Sequence, residues 1–364
     1  MPTEIESAII LQSLPGLGPS GSNKLREQCG SFQQILDTPI RDLAPPHRAP
    51  LQQFHAESEY YLANARKTVS ICSADGITIV TVDSKDYPVL LKEIASPPPV
   101  LYIKGNANLL NLPQIAIVGS RQHTAAGESN ARAFAQALSD SGFIITSGMA
   151  LGIDAAAHCG AIKNGSTIAV LGTGIDVIYP RRHGDLYRRI CSEGGVLISE
   201  FPLGTPARPG NFPQRNRIIS GLSLGVLVVE AALPSGSLIT ARAAMNQGRE
   251  VFAIPGSIHN PVSRGCHQLI REGATLVETA RDIVSELSGM LSFMAETPNP
   301  QRDSYKELDS GDSNVLEALG FDAVDMDTLI NRANLSAAVL TAALMRLELR
   351  GLVENRNGRF CRIH

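Results

Sequence analysis

The sequence predicts an α/β protein: an extended Rossmann-like, doubly wound, mostly parallel sheet, preceded by a small helical domain and followed by a winged-helix domain. Three observations carry this. From Ile115 to about residue 278, short apolar runs ending in glycine or an acid alternate with amphipathic stretches of helical length. Strands this continuously apolar are covered on both faces, as in a parallel sheet with crossover helices. Residues 1–70 show only helical patterning, and residues 313–364 give three helical segments and then a hairpin signal at Asn357–Gly358.

The elements follow in order. In 1–70, the amphipathic runs IESAIILQSL and SNKLREQCG flank LPGLGPS (14–20), a two-glycine turn similar to the hairpin of a helix-hairpin-helix, or simply a turn between helices. Residues 71–112 form an extension packed on the next domain: a short β run, a loop and a triple proline leading into VLYIKG. The core, 113–290, opens with IAIVGS and a helix capped by Thr124 and stopped at Gly142. FIITSG, a helix over 153–163, TIAVLGTG, a helix near 184–192 and VLISE come next. The helix of FPQRNRIIS, VLVVEA, a helix from 237, EVFAIPG, a helix near 264–272 and ATLVE complete it. Residues 291–312, polar and proline-containing, read as a linker. In 313–364 the last helix runs from a Ser336 cap to Gly351. From Arg332 onward six arginines face two glutamates, a local +4, which leaves duplex DNA, a protein partner or neither as this module's contact.

Length and composition set bounds. A chain of 364 residues makes two or three domains, and 43% hydrophobic with 18% charged residues is ordinary for a globular fold. A net charge of −3 names no partner, but 25 arginines against 7 lysines is an unusual ratio. Arginine offers a planar fork for phosphate and stacks on bases; a GC-rich genome would give the same bias. The cysteines, at 29, 72, 159, 191, 266 and 361, have neither CxxC spacing nor histidine neighbours suited to zinc. No basic stretch precedes an apolar run at the amino terminus, and no run of 18 apolar residues occurs. A cytoplasmic protein with no membrane contact is expected.

In an open parallel sheet, ligands bind beyond the carboxyl ends of the strands. Every notable motif of the core falls on that edge. It carries Gly119-Ser120-Arg121, Ser147-Gly148 with Asp154 beyond, Gly172-Thr173-Gly174, and the loop Tyr179-Pro180-Arg181-Arg182. Ser199-Glu200 then leads to Arg208, Phe212, Arg215, Asn216 and Arg217, and Glu230 leads to Ser235-Gly236-Ser237. Between Ile175 and Gly221 seven arginines face four acids, so a mildly acidic chain carries a basic rim. Glycines let phosphate approach the backbone, and hydroxyls add donors. The first loop is not GxGxxG and no GxSxG occurs, which argues against a dinucleotide cofactor and a serine hydrolase. His158 reads more readily as a core histidine than as a base, and Glu230 is a lone strand-end carboxylate. Binding is expected over turnover: no enzyme, no cofactor, no metal. Phe212 either stacks a base, which suits single-stranded nucleic acid, or plugs the gap between loop and helix.

VGSR (118–121), SGMALGIDAAAH (147–158), LGTGIDVIYP (171–180), ISEFP (198–202), FPQRNRIISGLS (212–223), VVEAALPSGSLITA (228–241), VFAIPGS (251–257) and LIREGA (269–274) occur in order. Together they resemble the DNA-processing protein A family (DprA, also called Smf), and DSKDYPVLL and PPPVLYIKGN look like its lead-in. The resemblance implies a non-enzymatic, usually dimeric protein that binds single-stranded DNA without sequence preference. It also implies protection of incoming strands in natural transformation, loading of RecA recombinase for recombination, and contact with single-stranded DNA-binding protein. It further implies a SAM-like helical domain before the core. On this chain the implied phosphate-holding loop is Gly119, Ser120 and Arg121, with further basic positions at Arg181 and Arg208. The segment Phe212, Arg215, Asn216 and Arg217 is implied as the stacking and phosphate-binding stretch, one arginine of which could instead be buried against Glu200 or Glu230. Ser147, Gly148, Ser235 and Gly236 complete the expected DNA site. Leu269 and Ile270 are dimer-surface candidates, with core packing as the alternative. Two rival functions stand beside this one. A lonely-guy-like phosphoribohydrolase carries PGGxGTxxE, where this chain has LPSGSLITA; a winged-helix regulator with a ligand-sensing core would bind duplex DNA sequence-specifically.

Overall fold

The computed structural model describes residues 2–287 and, toward the carboxyl terminus, 314–315, 318–319, 324–333, 335–349, 353–356 and 359–362. The expected linker, the Asn357–Gly358 turn and Gly351 lie outside the described residues.

Five helices come first: α1 (Glu4–Ser13), α2 (Pro19–Cys29), α3 (Phe32–Asp37), α4 (Pro45–Ala56) and α5 (Ser58–Ala74). A capping box of Thr3 and Glu6 starts α1 by satisfying free amides reciprocally. Between α1 and α2 the chain turns through Gly16 at φ 81°, a left-handed conformation that glycine adopts without a Cβ penalty. β1 (Ile77–Thr81), the short α6 (Val89–Lys92) and β2 (Val100–Gly105) follow.

The core then alternates as its apolar runs require. Its elements are β3 (Gln114–Val118), α7 (Ala125–Asp140), β4 (Ile144–Ser147), α8 (Ile153–Ala161), β5 (Thr167–Val170), α9 (Gly184–Ser192) and β6 (Val196–Ser199). After these come α10 (Asn211–Leu222), β7 (Gly225–Val228), α11 (Gly236–Asn246), β8 (Glu250–Ala253), α12 (Arg264–Arg271) and β9 (Thr275–Leu276). Every residue of β3, β4, β5, β6 and β7 is buried, which is why these strands show no polar alternation.

The nine strands lie in the order β1-β2-β6-β5-β4-β3-β7-β8-β9. From β6 to β9 all pairings are parallel; β2 runs antiparallel to β6, and β1 antiparallel to β2. The 71–112 extension thus does more than pack on the core. Its VLYIKG run becomes a strand of the same sheet, in register Tyr102↔Ser199. Strand order reverses between β3 and β7, which opens a crevice beyond their carboxyl ends.

One continuous buried cluster runs from Ala8, Leu11 and Phe32 of the amino-terminal helices through Tyr102 to the strands and Leu269. Residues Met1–Gly289 therefore form a single compact unit. Among the described residues no helix is long and apolar enough to cross a membrane.

The second unit, Met290–His364, has its own core of Val315, Leu319, Leu329, Leu340, Leu344 and Val353. It contains β10 (Val324–Asp325), α13 (Met326–Ala333), α14 (Ala337–Leu349), β11 (Val353–Arg356) and β12 (Arg359–Arg362). β12 pairs antiparallel with both β10 and β11, the helices-then-wing order expected of a winged helix. The strand β10, which closes the wing from its other side, carries no sequence signal beyond two residues.

Candidate nucleic-acid interface

The crevice at the switch point is an open pocket of about 680 Å³. Its first wall is the loop after β3. Ser120 donates its amide to the Glu230 carbonyl (2.7 Å) and accepts from Ile153 N (3.2 Å), so the loop is pinned to β7 on one side and α8 on the other. A Cβ on Gly119 would sit 2.7 Å from the Ile153 side chain, and one on Gly152 would sit 2.3 Å from the Ser120 carbonyl. Only glycines allow this approach. Arg121 leaves the loop exposed, with its Cζ 5.8 Å from the centroid of the Phe212 ring.

The second wall is aromatic. Phe212, in the first turn of α10, is half-buried and lies over Gly172, where a Cβ would come within 2.7 Å of its Cδ1. Tyr179, 45% exposed, stands beside it with ring centroids 5.4 Å apart at 37°. The sequence places Tyr179 on the ligand edge, in the loop Tyr179-Pro180-Arg181-Arg182, but assigns its ring no role; a tyrosine before a proline there was the available signal. The third wall is the start of α11, where Ser235, Gly236 and Ser237 line the pocket with Thr240. Asp154 and Arg215 lie at its floor.

Other amide clusters on this edge are already occupied by the protein's own carboxylates. Glu230 accepts from Thr124 N (2.9 Å) and Thr124 Oγ1 (2.6 Å), closing the amino end of α7, where Rossmann proteins hold a pyrophosphate. With both oxygens engaged and 7% exposure, Glu230 is a helix anchor and is poorly placed as a general base. Asp154 accepts from Gly148 N (3.1 Å) and Ala150 N (3.4 Å), filling the turn in which Met149 holds φ 59°. His183 Nδ1 donates to the Met149 carbonyl at 3.0 Å and braces that turn from outside. His158 is fully buried and donates from Nδ1 to Thr167 Oγ1, whose own proton goes to the Ile145 carbonyl. Burial pushes its pKa down to about 3, so it is a neutral core histidine.

The three polar residues of α10 separate cleanly. Arg215 is 3% exposed and donates through Nη1 to the carbonyls of Gly148 (2.5 Å) and Val170, and through Nε to Asn216 Oδ1 (3.2 Å). It ties α10 under the ends of β4 and β5. Burial lowers its pKa to about 10, with Asp154 opposing the shift, while burial raises the Asp154 carboxyl against Arg215. Both shifts run against pairing, so desolvation outweighs the attraction between them. Asn216 donates to the Gly236 carbonyl (3.3 Å), joining α10 to α11. Arg217 pairs with Glu200 at 2.5 Å, away from the pocket.

Thus neither Arg215 nor Arg217 presents a free guanidinium, and Arg121 takes that role at the pocket mouth. Ser147 is fully buried with its hydroxyl donating to the Ile117 carbonyl (2.6 Å), and Gly148 has its amide and carbonyl engaged by Asp154 and Arg215; these two stand behind the pocket rather than in it. Arg181 and Arg208 are exposed outside it, on the approaches. Leu269, considered for a dimer surface, is 1% exposed and packs in the core, and Ile270 packs partly against it.

A rigid glycine loop, an exposed arginine, two rings and a helix start thus meet at one crevice of a Rossmann-like sheet. Residues 78–288 match the family model described as DNA recombination-mediator protein A, and residues 299–359 match the DprA winged helix domain. The chain is 41% identical over 317 residues to Protein Smf of Escherichia coli K12, spanning 84% of each. It is 48% identical over 201 residues to DNA processing protein DprA of Streptococcus pneumoniae R6, 55% of this chain and 71% of that one. The X-ray structure of DprA from S. pneumoniae superposes with a TM-score of 0.67 at 38% identity, covering 78% of this chain and 98% of that chain. DNA processing protein A from Helicobacter pylori, whose structure is described for its single-stranded DNA binding mode, gives 0.54 at 27% identity, covering 59% and 96%. The chain belongs to the DNA-processing protein A family.

Proposed function

We propose that this protein binds single-stranded DNA at the β3/β7 crevice without chemistry of its own. The observation that carries the reading is Arg121, exposed on a rigid loop and 5.8 Å from the face of Phe212, with Tyr179 beside that ring. A phosphate meets Arg121 and the α11 start while a base stacks on the rings, a mode that tolerates any sequence. Arg181 and Arg208 flank the pocket and carry the backbone onward. No activated nucleophile or free base faces the pocket among the described residues, which favours binding over turnover. As a member of its family, the protein acts as a cytoplasmic homodimer that shields incoming strands in natural transformation. It then loads RecA recombinase on them in exchange with single-stranded DNA-binding protein.

The test is fluorescence anisotropy with a labelled dT oligonucleotide and its duplex across a salt series. Wild type should prefer the single strand, and Arg121→Ala should weaken binding and flatten the salt slope by about 0.7 for one lost phosphate. Equal binding by a folded Arg121→Ala protein would place the site elsewhere. Loading is read as RecA filament formation on strands coated with single-stranded DNA-binding protein, which should require wild-type protein.

A further inference from the structure

A chain of polar contacts runs from the first helix to α10, the helix that carries Phe212. Gln12, near the end of α1, donates from Nε2 to the Glu200 carbonyl at 2.7 Å and accepts from the hydroxyl of the fully buried Tyr102 at 2.9 Å. The two bonds fix its amide in one orientation. Glu200 is the residue at which the chain leaves β6 and begins the segment 201–210 that leads into α10 and Phe212. Its buried carboxylate pairs through Oε2 with Arg217 in α10 at 2.5 Å. Phe212 sits in the first turn of the same helix. The Arg217 carbonyl is in turn held by Gln247, which caps the end of α11, at 3.1 Å.

We infer that α1 positions the single-strand site: Gln12, acting through Glu200, sets where α10 starts and therefore where the Phe212 ring stands against Tyr179 and Arg121. Glu200 stands at the root of the segment that leads to α10: Gln12 holds its carbonyl, and its carboxylate reaches across to Arg217 of α10. Gln12 is a long-range contact to that carbonyl from outside the sheet. A buried ion pair of this kind is a better device for fixing one register than for adding stability. Glu200 Oε1 and Arg217 Nη1 have no further protein partner, so the clamp is incompletely satisfied and open to adjustment. Gln12, Tyr102 and Glu200 are positioning residues, since none lines the pocket.

The inference rests on the single-strand reading of the pocket, and its test separates the two. Binding of the labelled dT oligonucleotide is measured for Gln12→Ala, Phe212→Ala, their combination, and Ser7→Ala. Ser7 is buried in the same helix, bonded only to the Thr3 carbonyl (2.9 Å), and controls for loss of helix stability. Gln12→Ala should lose about three- to tenfold in affinity, Ser7→Ala none, and the double variant no more than Phe212→Ala alone. In parallel, hydrogen exchange of residues 201–213 without DNA should quicken in Gln12→Ala and stay unchanged in Ser7→Ala. Wild-type affinity in Gln12→Ala, additive losses in the double variant, or equal losses in Ser7→Ala would each overturn the inference. A wild type that fails to bind the strand would sink the single-strand reading instead, and the exchange rates would still decide the coupling.

Discussion

Replacing Arg217 with methionine keeps most of its apolar stem but leaves the Glu200 carboxylate, with a side chain 3% exposed, without its counter-ion. Breaking a buried pair this way costs about 3–5 kcal/mol. The protein has one escape, which is to protonate Glu200. Burial already raises this carboxyl above its reference of 4.5, with Arg217 holding it back. Binding a proton to such a group costs about 1.36 kcal/mol per unit of pH above that reference. The penalty is therefore capped near 4 kcal/mol at pH 7.5 and near 1.4 kcal/mol at pH 5.5. The sign follows from linkage: a carboxyl with a raised folded pKa is best accommodated below its unfolded value, and stability is lost as pH rises toward the folded value. Urea denaturation of the first unit at the two pH values should show the gap between wild type and Arg217→Met shrinking by about 2–3 kcal/mol on acidification. Adding Glu200→Gln should recover most of the loss at pH 7.5. A gap independent of pH, or a double variant no more stable than the single, would refute this account of the pair.

Other outcomes follow from particular contacts. Gly172→Ala places a methyl against the Phe212 ring, so dT binding should fall about tenfold, within the range for one stacked base, while the circular dichroism spectrum holds. Phe212→Ala should cost about 1–3 kcal/mol of binding at every salt concentration, leaving the salt slope unchanged. Ser147→Ala removes the bond to the Ile117 carbonyl and should lower stability by about 1 kcal/mol in urea titrations, with anisotropy showing unchanged DNA affinity. Glu230→Ala frees Thr124 and the amino end of α7; thermal denaturation should register a loss of about 2 kcal/mol.

The strands β3 to β7 were legible because each is buried on every residue, which leaves continuous apolar runs such as IAIV and VLVV. The loops after β3 and β7 were legible as a site because topology brings all strand ends to one edge. Other features depend on partners far away in sequence. VLYIKG follows three prolines and has no alternation, and only its pairing with β6, more than ninety residues on, makes it part of the sheet. In the helix of FPQRNRIIS, Arg215 and Arg217 lie two residues apart and so face different directions, one under the strand ends and one toward Glu200. Their charge could be counted in the sequence, but which was spent inside the fold could not. Tyr179 and Phe212 meet only because the loops after β5 and β6 are adjacent.

The antiparallel β1–β2 hairpin has a consequence for how this chain can be shortened. A fragment starting at residue 113 would keep every loop of the crevice, yet it would strip the cover from β6. The row of amides and carbonyls along Val196–Ser199, now paired with β2, would become an open, mostly apolar margin, the kind that templates strand addition from a second molecule. Such a fragment should be recovered as aggregates or strand-swapped species, so the hairpin acts as a seal against self-association as much as an extension of the sheet.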